Sequence, residues 1–392
     1  MSGLSQRALR GLALAGALAA LAPAASAQSL LAGRGLGWVN EPVEARGTGL
    51  GGVTLGLPEP SLTLRNPAAI AGLPAPALTT SFQYDRLNTE PPAGTGSAGT
   101  ARFPLLAGAY PVNPRLTLAL GFGSLLDQSW AVELADSGVV GGERMLIADR
   151  FTSEGGVSRL RLAGAYQLLA GLSLGLGVDV YTGGLRYTTV REFGGALAPA
   201  STEARWDYGG LGYAAGVHWV GPEAAFALDA AANFGGTLRA EPTDTVGDAK
   251  EYDLPLSLAL GASGRISANT LLALSAERTG WSSVDGALRR SGAGALAQDT
   301  WSVRGGIEWD ALSLGARALP LRLGGRYQKL PFRAADPGDD WPTERAVTGG
   351  LGVRLGGGAA QLDLGVERGW RSAEQFDERY WRTLFTVRVL GR

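Results

Sequence analysis

The chain has 392 residues, of which 60 are Gly and none is Cys, and its formal net charge is −1. Without Cys it relies on no disulfide, and with balanced charge and lysine confined to Lys250 and Lys329 it has no basic block of the kind that binds nucleic acid. The apolar fraction is 45%, high for a chain so rich in turn residues, yet past the first residues no run of about 18 apolar residues is present to form a membrane-spanning helix.

The N-terminus reads as a secretory leader. Arg7 and Arg10 make a positive n-region, Gly11 to Leu21 an apolar h-region, and Ala25-Ser26-Ala27 a small-x-small cleavage site. Removal of residues 1–27 leaves 392 − 27 = 365 residues, and because two Arg and no acid go with it the charge moves from −1 to −3.

Residues 28–76 come next and lack sustained alternation. Gly47, Gly49 and Gly52 formally spell G-x-G-x-x-G. A dinucleotide-binding turn needs a strand before those glycines and a long helix after them. Pro58 and Pro60 exclude that helix, and no βαβ unit follows. Gly and Pro instead favour tight, irregular turns. Such a segment fits inside a barrel as a plug, where irregular backbone is shielded from lipid.

From Ala77 onward the dominant period is two. Leu172, Leu174, Leu176, Val178 and Val180 share one face, opposite Ser173, Gly175, Gly177 and Asp179. Leu254, Leu256, Leu258 and Leu260 repeat the pattern, as do Trp301, Val303, Ile307 and Trp309, then Leu319, Leu321 and Leu323, then Leu362, Leu364 and Val366. About fourteen segments of this kind are predicted, from 77–87 to 378–391, with boundaries good to about 2–4 residues. The connections alternate between short turns, such as Gly221-Pro222 and Gly356-Gly357, and longer polar stretches, such as 88–100, 126–151, 190–202 and 281–296. Outer-membrane barrels have short periplasmic turns, long external loops and an even strand count. The reading is all-β: a transmembrane antiparallel β-barrel over 77–392, preceded by a luminal segment over 28–76.

In such a barrel the apolar face meets lipid and the other face lines the lumen. The lumen side then carries Arg159, Arg161, Asp179, Asp229, Glu277, Arg304, Glu308, Arg322, Arg326, Arg354, Asp363 and Glu367, in which opposite charges can pair across strands. Tyr84, Trp130, Trp206, Trp219, Trp281, Trp341, Trp370, Tyr380 and Trp381 lie near strand ends, where an interfacial aromatic girdle sits.

The run Arg46-Gly-Thr-Gly-Leu-Gly-Gly-Val53, followed by Leu64-Arg-Asn-Pro-Ala-Ala-Ile70 and a first strand, resembles the start of the FadL/TodX family of outer-membrane transporters. The matching positions are Gly47, Gly49, Gly51, Gly52, Asn66 and Pro67. Val53 stands where that family usually has Ala, and Leu64-Arg65 where an aromatic often precedes the Asn. The resemblance implies a fourteen-stranded barrel closed by an N-terminal hatch. It also implies passage of hydrophobic molecules, such as long-chain fatty acids or aromatic hydrocarbons, with lateral exit through the wall into the outer-membrane lipid. Relatives resembling the PorV shuttle share the fold and handle a secreted protein partner instead.

The residues fit a non-enzymatic reading. His218, the only histidine, points inward by alternation, and a lone lumen histidine is more often a polar lining residue than a catalytic base. No metal or other cofactor is implied. The acidic turns Asp336-Pro-Gly-Asp-Asp340 and Asp244 to Asp248 read as solvated loops rather than Ca²⁺ sites. Val139, Val140, Met145, Leu146 and Ile147 give the loop 126–151 apolar character suited either to approaching ligands or to packing within the loop. The luminal charges would also suit a water-filled porin, against which the length of 28–76 argues.

Overall fold

The computed structural model describes residues 29–90, 96–140, 142–194, 197–243, 247–289, 296–314, 317–333, 340–374 and 376–391. The expected leader lies outside them, as do Asp244 and Asp336 to Asp339 in the acidic turns.

A two-residue strand β1 (Trp38–Val39) and a one-turn helix α1 (Ala45–Gly49) belong to the N-terminal segment. The wall begins with β2 (Ala77–Glu90), β3 (Gly96–Asn113) and β4 (Leu116–Asp127), and a projecting strand β5 (Trp130–Val140) follows. It continues with β6 (Glu143–Leu169), β7 (Leu172–Phe193), β8 (Ala200–Val220), β9 (Phe226–Pro242), β10 (Lys250–Ser267) and β11 (Thr270–Thr279). A short helix α2 (Asp285–Leu288) precedes β12 (Thr300–Leu314), β13 (Arg317–Lys329), β14 (Thr343–Leu355), β15 (Ala360–Ala373) and β16 (Phe376–Leu390). Each strand pairs antiparallel with its neighbours, β16 pairs β2, and β4 pairs both β3 and β6, so fourteen strands close into a barrel. β5 stands outside the ring and pairs with the upper half of β6 as a projecting hairpin.

The alternation read from sequence sets the two faces. Leu176 and Leu323 are each 71% exposed on the outside, while Asp179 and Arg322 on the same strands are buried inside. A soluble protein does not present a continuous belt of this kind to water, and closing the ring pairs the strand edges that lipid cannot satisfy, apart from the stretch where β3 and β4 part. No helix among the described residues is long and apolar enough to cross a membrane.

Three expectations are corrected. Leu254 does not share the outward face of Leu256, Leu258 and Leu260; it is buried in an inner cluster with Tyr181, Leu238 and Trp281. Pro255 lacks an N–H for the ladder and faces Gly235, beside Gly236 at φ +65°, so the strand pair changes face there. Trp281 and Tyr380 are also inside rather than in an aromatic girdle. Trp281 packs edge-on against Phe332, and Tyr380 donates to Glu367. The stretch 126–151 is mostly paired strand, because β5 pairs with the outer part of β6, which on its other edge pairs with β7.

Candidate functional site

Residues 29–76 run against the inner surface of the barrel and are mostly buried. Leu62, Leu64, Ile70 and Leu73 pack on the small inward residues Ala107, Ala119, Ala163 and Ala165. Small side chains on the wall are what allow a second layer to fit inside a ring of this size.

The glycine run shapes this contact. The N–H of Ala45 donates to Thr386 Oγ1 at 2.8 Å, placing α1 against β16. Gly51 then turns the chain at φ +75°, and a Cβ there would lie 2.4 Å from the Gly325 carbonyl oxygen and 2.5 Å from that of Gly305. Only Gly fits both that dihedral and that approach. Gly51 N–H donates to Thr348 Oγ1 at 2.9 Å, and that hydroxyl donates to the Gly49 carbonyl at 3.1 Å. Gly47 and Gly49 are buried in α1, and Gly52 follows at φ +90°.

Asn66 and Pro67 start the 3-10 turn Pro67–Ile70. Asn66 Oδ1 caps it by accepting from Ala68 N–H at 2.9 Å, and Asn66 Nδ2 donates to the Val217 carbonyl on β8 at 2.9 Å. One amide therefore ends a local turn and ties it to the wall. Pro67 occupies the first turn position, where a missing N–H costs nothing.

The luminal charges pair into networks. Arg161 donates to both carboxylate oxygens of Asp179 at 2.5 Å and to the Leu64 carbonyl at 2.6 Å. Arg322 lies between Glu308 and Asp363 at 2.6 Å each. Arg326 reaches Glu344 at 2.8 Å and Glu367 at 2.6 Å. Arg304 reaches Glu41 at 2.7 Å and Glu277 at 3.4 Å. Asp229 accepts from Gly56 N–H at 2.7 Å and lies 2.5 Å from His218 Nδ1. Arg159 stands apart, 4.0 Å from Asp179. Arg354 is exposed near the short-turn end and joins none of these networks among the described residues.

Other members of the networks were not singled out from sequence. Asp85, Glu344 and Arg382 obey the same inward parity as the residues that were, and Arg382 holds Asp85 at 2.9 Å. From the N-terminal segment, Arg46 pairs with Glu308 and Glu59, Glu44 with Arg388 of β16, and Arg65 with both Glu41 and Glu277. No periodic signal marks Glu41, Glu44, Arg46, Glu59 or Arg65, because the segment has no repeating geometry.

Above the network lies a cavity of about 180 Å³. Its walls include Val39, Tyr181, Phe234, Leu254, Trp281 and Phe332, and Arg65, Arg159 and Arg304 also border it. A smaller space of about 60 Å³ shares Trp38, Val39 and Glu41 with it and reaches Gln83 and Pro104.

Those last residues border a seam. The β3–β4 ladder ends at Leu106↔Phe122, whereas β2–β3 pairing continues to Thr89↔Gly96 and β4–β6 pairing to Asp127↔Gly156. Along the freed edge of β4 lies β1, with Trp38 opposite Asp127 and Val39 opposite Leu126. Asn40 N–H donates to the Leu125 carbonyl at 2.8 Å, and Arg102 from β3 donates to Asn40 Oδ1 at 2.6 Å. The N-terminal segment thus fills part of a break in the wall.

Solved structures with this fold include the Ralstonia pickettii toluene transporter TbuX, at 14% identity and a TM-score of 0.59, covering 90% of this chain and 99% of that one. A Pseudomonas aeruginosa FadL homologue aligns at 13% identity and a TM-score of 0.58, covering 90% and 98%. The P. putida toluene transporter TodX aligns at 14% identity and a TM-score of 0.58, covering 90% and 99%. No protein with a curated description matches the sequence. The family model described as BamG matches residues 14–246.

Proposed function

The chain belongs to the BamG family and is a barrel of the bacterial outer membrane, and we propose that it passes small hydrophobic compounds from the outside into the membrane. In this reading residues 28–76 are a hatch, the cavity beneath the external loops is the binding site, and the seam between β3 and β4 is the lateral exit.

The observation that carries it is the cavity. A space of about 150 Å³ is enough to hold benzene, so about 180 Å³, bordered by apolar and charged side chains, has room for a single-ring hydrocarbon. A long-chain fatty acid exceeds that volume and would have to extend out of the cavity. An apolar compound leaving water gains about 0.8 kcal/mol per buried methylene, and Tyr181, Leu254, Trp281 and Phe332 offer such a surface. The toluene transporters of the same fold support the size class. The paired charges argue against a general aqueous pore, since they bind one another and the N-terminal segment.

Barrel purified from outer membranes is to be examined by native mass spectrometry after equilibration with toluene. The expected result is one toluene per chain in the wild type and loss of binding in Phe332→Arg. A co-purifying secreted protein in stoichiometric amount, together with an empty cavity, would replace this reading with a shuttle.

A further inference from the structure

The outer face of β14, β15, β16 and β2 breaks the apolar pattern at one height. Arg345, Trp370 and Arg379 are cross-strand neighbours in one row. Arg368, Trp381 and Arg86 form the adjoining row. The two rows place arginine and tryptophan alternately, so each guanidinium has an indole beside it. The Arg368 guanidinium is 5.6 Å from the Trp370 ring and 5.2 Å from the Trp381 ring.

These arginines differ from other exposed arginines that stand beside a carboxylate. Arg278, Arg150, Arg191 and Arg239 each pair with a carboxylate. Among the described residues, Arg86, Arg345, Arg368 and Arg379 pair with none, and Arg368 Nη1 is buried without a hydrogen-bond partner. Four neighbouring cations repel one another, and a counter-anion among them relieves that repulsion.

Height identifies the surroundings. Below Trp381 the outward residues of β16 are Thr383, Phe385, Val387 and Val389, which end at the short-turn side. Eight residues of tilted strand span roughly 20 Å, against an apolar band about 25 Å tall. Trp381 therefore sits at the outer interface, where tryptophan is favoured, and Arg379 sits at headgroup level. Val347 and Phe385 continue directly below as an apolar surface.

We propose that this face binds an anionic, phosphate-bearing lipid of the outer leaflet, with Arg86, Arg345, Arg368 and Arg379 on its phosphates and Trp370 and Trp381 against its glycerol or sugar region. The planar guanidinium donates two parallel bonds to phosphate. Four such groups in two rows suit a headgroup with more than one phosphate. The acyl chains run down over Val347 and Phe385, which free phosphate cannot use.

The test is native mass spectrometry of the full barrel released from detergent in the presence of a bis-phosphorylated glycolipid, phosphatidylglycerol or phosphatidylcholine. Wild type is expected to prefer the bis-phosphorylated lipid and to lose that preference at high salt. Each arginine near a membrane surface contributes about fivefold. Arg345→Gln/Arg379→Gln is therefore expected to lower the preference by roughly tenfold or more, and adding Arg86→Gln and Arg368→Gln to abolish it. Arg278→Gln, on β11 outside the patch and paired with Asp299, is expected to change nothing. Heat-modifiable gel mobility identifies folded protein, and the double variant, altered only at exposed positions, decides if the fourfold one misfolds. Equal binding of phosphatidylcholine, an unchanged preference in the folded double variant, or full competition by inorganic phosphate at lipid concentration would each overturn the proposal.

Discussion

Asp229 joins His218 to Gly56. One of its carboxylate oxygens lies 2.5 Å from the imidazole Nδ1 of the neighbouring strand, and the other accepts the Gly56 N–H at 2.7 Å. All three groups are buried. The only histidine of the chain thus orients the carboxylate that fastens the N-terminal segment to β9. In Asp229→Ala both donors lose their acceptor, and an unmet buried donor costs about 1–3 kcal/mol. The expected outcome is a clear fall in the urea midpoint of barrel reconstituted in vesicles. Wild-type unfolding in that variant would remove the anchor role.

Gly51 and Gly72 form a matched pair. Both have positive φ, +75° and +77°, but a Cβ at Gly51 would strike two wall carbonyls while one at Gly72 meets nothing within 4 Å. Gly72→Ala should cost only the backbone preference, about 1 kcal/mol. Gly51→Ala must lift the segment from β12 and β13. Limited trypsin digestion is expected to cut after Arg46 and Arg65 much faster in Gly51→Ala than in Gly72→Ala. Equal rates in the two variants would mean that the close approach at Gly51 is not what holds the segment.

What could be read in advance follows the physics of each region. Across the membrane one face of every strand meets lipid, so Leu174, Leu176 and Val178 had to alternate with small or polar partners, and the fourteen strands followed by spacing. Above the membrane that demand ends. The arm made by β5 and the outer part of β6 therefore keeps apolar alternation only over Trp130, Val132 and Leu134, and the stretch 126–151 read as loop. Leu254 followed the alternation in sequence, and the change of face at Pro255 and Gly235 became visible only once the two strands were paired. Arg65 was noted as a departure from the family pattern, yet it bridges Glu41 and Glu277; nothing local marks a residue whose partners lie 24 and 212 positions away.

Asp285 gives the outer loops a dependence on pH. Burial pushes its carboxyl up, but Arg289 and the N–H groups of Leu296 and Ala297 together outweigh this and hold it below its ordinary value of 3.8. A carboxyl depressed on folding stabilises the fold fully above the unfolded value, and that contribution is lost as pH falls through the folded one. Ala297 bridges to Phe332, which packs on Trp281 at the cavity wall. As pH falls below 3.8 and through the lower folded value, the loop is expected to release and uncover the cavity. Amide exchange at Leu296 and Ala297 should then approach that of Asp285→Asn measured at the same pH. A constant gap between the two proteins down to full protonation would rule the linkage out.

The seam between β3 and β4 can be locked. Val39 and Leu126 are directly opposed across the antiparallel pair of β1 and β4, so their Cα atoms lie about 4.5–5.5 Å apart, within the span a disulfide bridges. The chain has no Cys, so Val39→Cys/Leu126→Cys offers only the intended bond. If ligand leaves laterally between β3 and β4, β1 must yield the edge of β4 during each passage. Oxidation should then stop uptake of toluene into vesicles while leaving toluene binding intact, and reductant should restore uptake. If ligand instead runs down the barrel axis, the bond lies beside the path, and uptake will be the same oxidised or reduced. Separating binding from passage in one protein distinguishes a blocked exit from a damaged site, because the cavity residues are untouched apart from Val39 at its edge.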